Sequence, residues 1–371
     1  MKKVLVFGMT ENSGGIETVI MNYYRNIDRS KLQFDFLCNT DSVAYEDEII
    51  SLGGNIFRVK PRRESRKDFK KEMTVFFSNN AKKYSAIWVN VCSLANIDYL
   101  KYAKKYGIKK RIIHAHNSQN MDSFLRGLLH RFNKLFIGKY ATDFWSCSKE
   151  ASKWFYNSSI MKSSNYLLIN NAIDFNKYKF DIETRKKYRE MLNIDDNTLV
   201  LGNVGRMHFQ KNHPFIIKVF NEVHKNIPNS KLILIGDGPD REKIENLVKK
   251  YDLEDSVINL GIRNDVPQLM SAMDIFLFPS LFEGLPLVLI EAQASNLLIY
   301  ASDVISNEVV IDNDLVNLIS LNEDEYYWAK QILRNVANNR ESNQIENLLK
   351  EKNYDIKLET KKFQKMIEGE K

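Results

Sequence analysis

Two glutamates, Glu283 and Glu291, stand eight positions apart in the stretch SLFEGLPLVLIEAQAS (residues 280–295), on either side of a Gly-Leu-Pro turn. A carboxylate is a good acceptor for paired sugar hydroxyls, as acidic residues are for ribose in dinucleotide folds. Pro286 suits the first turn of a helix, and the amides near Gly284, Leu285 and Leu287 would then form an anion-accepting helix start. With a phosphate there, one acid before the turn and one about a turn and a half into the helix lie on opposite sides of it. They would hold two different sugars, such as a ribose and a second sugar joined through a diphosphate. The same residues also read as a helix-start charge and a solvated surface acid.

Two further strand-to-helix turns in the same half fit a phosphorylated ligand. LVLGNVG runs into RMHFQKN, which sets Gly205, Arg206 and Lys211 just beyond a strand end, where cations could flank a diphosphate. KLILIG runs into DGPDREKI, a turn opened by Gly236 that gives backbone close access to a ligand. Ordinary connections use Gly and Pro too; the combination of three such turns is what departs from them.

The elements that position these turns follow from the hydrophobic pattern. Short apolar runs (KVLVFG, FDFLC, NIFRV, AIWVNV, RIIHAH, YLLIN, then LVLGNVG, KLILIG, VINLG, IFLFP, LLIYAS) alternate with amphipathic segments, which predicts βαβ units and parallel sheets. Two series emerge, one to about Asn171 and one from about Thr198, so the expected fold class is α/β with two domains facing across a cleft. The tail after Asn322 reads as helices only. Ligands of open α/β sheets bind beyond the carboxyl ends of strands, where the turns above lie.

Charge is divided unevenly. Residues 1–180 carry 30 Lys and Arg against 16 Asp and Glu, a net of +14, whereas the remainder carries 24 against 31, a net of −7. The basic excess is dense in RVKPRRESRKDFKK (58–71) and in FLRGLLHRFNKLFIGK (124–139). In the latter, Leu125, Leu128, Leu129, Phe132, Leu135 and Phe136 recur at helical spacing with Arg126, Arg131 and Lys134 between them. This reads as a basic amphipathic helix for an anionic membrane surface, or as an ordinary domain helix with a solvated charged face. No zinc-finger spacing or RNA-recognition signature points to nucleic acid. Cys38, Cys92 and Cys147 lie far apart and form neither a disulfide framework nor a metal site. No apolar run reaches a membrane span and the start lacks a signal-peptide pattern, so a cytoplasmic location is expected.

The sequence resembles the retaining glycosyltransferases of family 4, of the bacterial capsular and exopolysaccharide type. FEGLPLVLIE looks like that family's E-x7-E motif and VGRMHFQKN like its G-R-x4-K-N segment. LILIGDGPDREKIE, LGIRNDVPQLMSAMDIFLFPS, GGIET and ATDFWSCSKEASKWFY match its usual pattern as well. AQASNLLIYASD departs from it by lacking the frequent Gly-Pro before the next strand.

The resemblance implies a GT-B fold: residues 1–175 an acceptor domain, 176–350 a nucleotide-sugar donor domain, and 351–371 a helix crossing back to the first. It implies that Arg206 and Lys211 neutralise the donor diphosphate, that Glu291 holds the ribose, and that Glu283 with the backbone of Gly284, Leu285 and Leu287 orients the donor sugar. Gly14, Gly15, Gly205 and Gly236 would let backbone approach the donor, and Arg263 would sit at the base. His116 matches the active-site histidine, with His114 as the fallback because i and i+2 share a sheet face. The implied reaction is transfer from a nucleotide-sugar, a UDP-sugar, to a hydroxyl of a lipid-linked acceptor with retention, at the inner face of the cell membrane. It needs neither metal nor cofactor. An epimerase of the same fold and a non-catalytic sugar-nucleotide or membrane-binding protein are the alternatives.

Overall fold

The computed structural model describes residues 1–118, 124–335 and 344–369. The chain divides into two compact units, residues 1–172 with those from Asn353 onward, and residues 173–352.

The first unit is built on a seven-stranded sheet. Its strands are β1 (Lys2–Phe7), β2 (Leu32–Cys38), β3 (Ile56–Arg58), β4 (Ala86–Val91), β5 (Lys110–Ala115), β6 (Asp143–Ser146) and β7 (Tyr166–Leu168). Every pairing is parallel, in the order β3-β2-β1-β4-β5-β6-β7. Strands buried on both faces read as continuous apolar runs, which is why VLVF and AIWV stand out in the sequence. The helix Ile356–Glu368, capped by Asp355 accepting from the Leu358 amide, belongs to this unit. Its Phe363 lies 4.9 Å from Trp88, 5.2 Å from Tyr23 and 5.5 Å from Trp145, ring centre to ring centre, closing an aromatic core.

The second unit carries six parallel strands: β8 (Leu199–Val204), β9 (Ser230–Ile235), β10 (Val257–Asn259), β11 (Ile275–Phe278), β12 (Leu298–Ser302) and β13 (Val316–Ile319), in the order β10-β9-β8-β11-β12-β13. Leu201, Ile217, Phe220, Leu234, Leu277 and Trp328 belong to its buried core. At the amino-terminal edge the buried Arg189 pairs with Asp274 at 2.7 Å and donates to the carbonyls of Ala272, Asp195, Asp196 and Thr198. Asp274 in turn accepts from the Val200 amide, so the starts of β8 and β11 are tied together.

In both sheets the strand order reverses once, between β1 and β4 and between β8 and β11. These reversals open the crevices at the carboxyl ends where open α/β sheets bind ligands. The sequence reading missed two strands. DFWS (β6) has only two apolar residues between polar ones and VNLI (β13) is interrupted by Asn317, so neither stands out as an unbroken apolar run. Pro286 precedes the helix Leu287–Ala294 as its cap residue instead of opening its first turn. Beyond Asn322 the described residues form helices, Glu325–Leu333, Ile345–Glu351 and Ile356–Glu368.

Candidate active site

In the second unit the three turns singled out from the sequence form one hydrogen-bonded shelf at the carboxyl ends of β8, β9 and β11. The Gly205 amide donates to Ile235 O at 2.9 Å and the Met207 amide to Asp237 O at 3.0 Å, joining the first turn to the second. Gly236 has φ +135°, and a Cβ placed there would lie 2.1 Å from Gly205 O. This glycine is therefore required by the close packing of two turns, a reason independent of any ligand. On the other side the Leu281 amide donates to Gln210 O, the Gln210 side chain donates to Phe282 O, and the Asn212 side chain donates to Pro279 O. Asn212 itself takes the left-handed conformation, φ 55°, which turns the chain from Lys211 into the helix His213–Asn226.

Lys211 and Glu283 meet on this shelf. The Nζ donates to Glu283 Oε1 at 2.7 Å and lies 4.7 Å above the Phe278 ring. The two side chains are only 17% and 10% exposed, so little water screens the pair. Arg206 is exposed and, among the described residues, makes no ion pair. Gly284 is buried, and the Leu285 and Leu287 side chains point into the core, which leaves backbone as what these positions offer a ligand. The first amides of the helix Leu287–Ala294 have no acceptor within the helix itself.

Glu291 lies in that helix and is 6% exposed. Burial pushes its carboxyl up to about 7, a rise that a hydrogen bond from Tyr178 opposes. The Tyr178 hydroxyl donates to Oε1 at 2.7 Å, and Tyr178 is held by its own carbonyl, which accepts from Ser295 Oγ at 2.6 Å. Ser295 caps the helix, and Asn296 takes the left-handed conformation at φ 53° that a glycine commonly supplies after a helix end. Arg263 follows β10 and pairs with Asp265 at 2.6 Å, holding the Asp265 carboxyl below its ordinary value. Asp265 also accepts from the Tyr188 hydroxyl.

The first unit carries candidate groups of its own. His116 follows β5, and its Nε2 lies 2.9 Å from Asn90 Oδ1. The Asn90 amide nitrogen donates to Phe7 O, which orients Oδ1 toward the ring, so Nε2 carries the proton and Nδ1 is left as an acceptor. Burial lowers the His116 imidazole to about 3 and holds that of His114 well below its ordinary value, so both rings are neutral at physiological pH. The ring centres lie 4.1 Å apart with the planes tilted by 47°, but His114 is fully buried and His116 is partly open. Gly14 and Gly15 open the helix Gly15–Asn26. The buried Glu17 carboxylate accepts from Thr10 Oγ1 at 2.5 Å and from the Gly14 amide at 3.2 Å, fixing the loop that follows β1. A Cβ on Gly15 would meet nothing within 4 Å.

Tyr178, Gln210, Asn90 and Glu17 were not singled out from the sequence. Gln210, inside VGRMHFQKN, and Glu17, inside GGIET, lay within motifs already read; Tyr178, Gln210 and Asn90 act on partners brought near by folding, as Tyr178 does on Glu291 across 113 positions. Among the described residues no three His, Cys, Asp or Glu side chains are grouped to hold a metal ion.

Comparison with known proteins decides the family. Residues 184–354 match the model of the glycosyl transferases group 1. The putative glycosyltransferase EpsF of Bacillus subtilis (strain 168) is 33% identical over 91% of this chain and 89% of its own length. The chain belongs to this glycosyltransferase family. Another relative, the UDP-Gal:alpha-D-GlcNAc-diphosphoundecaprenol alpha-1,3-galactosyltransferase of Escherichia coli, is 28% identical over 53% of the chain and 52% of its own. Among solved structures, Anabaena Alr3699/HepE in complex with UDP and glucose superposes with a TM-score of 0.82 at 17% identity, covering 99% of this chain and 100% of that one. The glycosyltransferase thus has the GT-B fold, with sheets of seven and six parallel strands.

Proposed function

We propose that this glycosyltransferase moves a sugar, with retention at the anomeric carbon, from a UDP-sugar to a hydroxyl of a lipid-linked saccharide in the synthesis of a surface polysaccharide. The observation that carries the donor reading is the shelf of the second unit. Lys211, Glu283, the amides of a helix start and the buried Glu291 lie around one strand-order reversal. On this reading Arg206, Lys211 and the helix-start amides take the diphosphate, and Glu291 exchanges its bond from Tyr178 for the ribose hydroxyls. Glu283 and the backbone from Gly284 to Leu287 hold the transferred sugar, and the backbone beside Arg263 holds the base. Gly205, Gly236, Gly14 and Gly15 keep the surrounding backbone close, and the open space at Gly15 leaves no packing reason for a glycine there. The acceptor is supported by the Escherichia coli relative, whose name gives a diphosphoundecaprenol-linked sugar.

In the reaction the bond from the anomeric carbon to the diphosphate oxygen breaks and a bond to the acceptor oxygen forms on the same face. The acceptor proton passes to the departing phosphate oxygen. Developing charge on the diphosphate is met by fixed cations and amides, which need no rearrangement as it builds. His116, neutral and with Nδ1 free to accept, would hold a hydroxyl of the reacting sugar. Work of this kind takes place at the inner face of the membrane, where a lipid-linked acceptor is met. A panel of nucleotide-sugars screened for thermal stabilisation, followed by product analysis with a diphospholipid-linked sugar, tests the reading. A stabilising donor and an α-linked product from an α-linked donor support it. Interconversion of two nucleotide-sugars without transfer identifies an epimerase instead.

A further inference from the structure

The helix Phe124–Phe136 is turned inside out relative to an ordinary surface helix. Phe124, Leu125, Leu128, Leu129, Phe132 and Leu135 are between 45 and 77% exposed, whereas the buried residues of the helix are the polar His130 and Asn133. At 3.6 residues per turn the six exposed apolar side chains span an arc of about 140° on one face. The opposite face is locked to the first unit by specific bonds. His130 Nδ1 accepts from the Leu94 amide at 3.0 Å, and its Nε2 lies 3.1 Å from Trp154 O. Its ring stacks on that of Trp154 at 4.1 Å, and the Asn133 side chain donates to Leu94 O at 2.7 Å. Ile137, in the turn that follows, is fully buried. The rotation of the helix is therefore set by its polar side, and the apolar side is presented outward by construction. A patch of this kind is larger than the scattered apolar residues of a typical surface.

The surroundings of the patch are cationic. Arg131 lies beside the apolar arc and is exposed, as are Lys139 and Lys153. At the carboxyl end of the helix Lys101 and Lys104 both stand 5.7 Å over the Tyr140 ring, and Lys104 donates to Lys139 O, which draws the cations of a neighbouring helix to the same end. Among the described residues no helix is long and apolar enough to cross a membrane. An apolar face ringed by cations matches the boundary between acyl chains and anionic headgroups, where such a helix lies in the plane of the interface. A second copy of this chain would meet the apolar face with the same ring of cations, so like charges would oppose that pairing.

We propose that Phe124–Phe136 is the element by which this chain docks on an anionic bilayer, with Phe124, Leu125, Leu128, Phe132 and Leu135 inserted below the headgroups and Arg131, Lys104 and Lys139 against them. The inference extends the lipid-linked acceptor reading by naming the surface that docks, but it is read without turnover.

The test is flotation of the full chain with phosphatidylcholine vesicles, with and without phosphatidylglycerol, at low and high salt. The parent chain should float with the anionic vesicles, less so at high salt. Leu125→Glu with Phe132→Glu should lower the partition coefficient by about tenfold or more at both salts, 1.4 kcal/mol for each factor of ten. Arg131→Glu with Lys139→Glu should lower it mainly at low salt, where screening is weak. Thermal midpoints and stabilisation by UDP, read on the same samples, separate loss of docking from loss of folding. A folded Leu125→Glu, Phe132→Glu variant that floats like the parent overturns the proposal. So does a parent that stays off anionic vesicles and sediments as a dimer which the same variant makes monomeric, because the face is then covered by a second copy. UDP that fails to stabilise a parent chain that still floats counts against the donor reading and leaves the docking element standing.

Discussion

Replacing Glu291 by glutamine separates two consequences of one buried carboxyl. Burial raises that carboxyl from the ordinary 4.5 to about 7. At ~1.36 kcal/mol per unit, ionising it inside the ligand-free fold costs ~3 kcal/mol. Between about 4.5 and 7 the folded chain binds more protons at this group than the unfolded chain does. Stability therefore falls as pH rises through that window and is level above about 7. The substitution removes this fall, because an amide does not ionise. Glu291→Gln should match the parent near pH 5 and exceed it at pH 8 by up to ~3 kcal/mol, which at ~2 to 4 °C per kcal/mol is several degrees in Tm. Binding should change in the opposite sense. If the carboxylate takes the ribose hydroxyls, only the ionised form binds UDP well. The parent should then lose about tenfold in affinity, relative to the variant, between pH 8 and pH 6, and should release protons on binding near pH 7. The assay is thermal unfolding from pH 5 to 8 together with calorimetry of UDP in two buffers of different ionisation enthalpy. A variant less stable than the parent at pH 8, or UDP affinities that run parallel with pH in the two proteins, would refute the reasoning.

Lys211→Ala and Arg206→Ala should each weaken UDP by roughly tenfold to a hundredfold, since a charge-assisted bond is worth ~1.5 to 3 kcal/mol, and EDTA should leave turnover intact; reversible loss of turnover on chelation would contradict this pair. His116 is held at about 3 and is neutral from pH 5 to 9, so the rate profile should carry no limb from it, while His116→Ala lowers kcat and spares UDP affinity; a limb that vanishes in that variant would count against the neutral ring. Gly236→Ala puts a Cβ 2.1 Å from Gly205 O at a positive φ and should cost ~2 kcal/mol or more in urea melts, with weaker UDP binding because the turn carrying Arg206 shifts; parental melts would show that the two turns give way.

Much of the fold was legible because parallel strands covered on both faces leave unbroken apolar runs, as in KLILIG and AIWVNV. The carboxyl-end turns were legible because Gly, Pro and cations mark them. What stayed hidden depends on contacts between distant residues. DFWS becomes a strand because β5 and β7 pair with it on either side, not through its own pattern. Tyr178 lies in DFNKYKF, where nothing marks it as the partner of an acid in another helix. Gly236 was read as ligand access, and its close packing against the neighbouring turn came to light only in the fold. The segment 124–139 carries the plainest lesson. Its spacing showed an amphipathic helix, but which face is buried was decided by His130 and Asn133, whose partners are the backbone of Leu94 and Trp154.

The central claim is that one nucleotide-sugar is held with its nucleoside at Glu291 and its transferable sugar at Glu283. Calorimetry of Glu283→Ala and Glu291→Ala, each with UDP and with the donor that the screen identifies, tests it most directly. Glu291→Ala should weaken both ligands by ~1 to 3 kcal/mol. Glu283→Ala should weaken the donor by a similar amount while UDP binds as well as before or more tightly, because Lys211, now bonded to Glu283 at 2.7 Å, is released toward the diphosphate. Two folded variants that bind UDP and donor as the parent does would contradict the account and return both acids to a helix-start charge and a structural carboxyl.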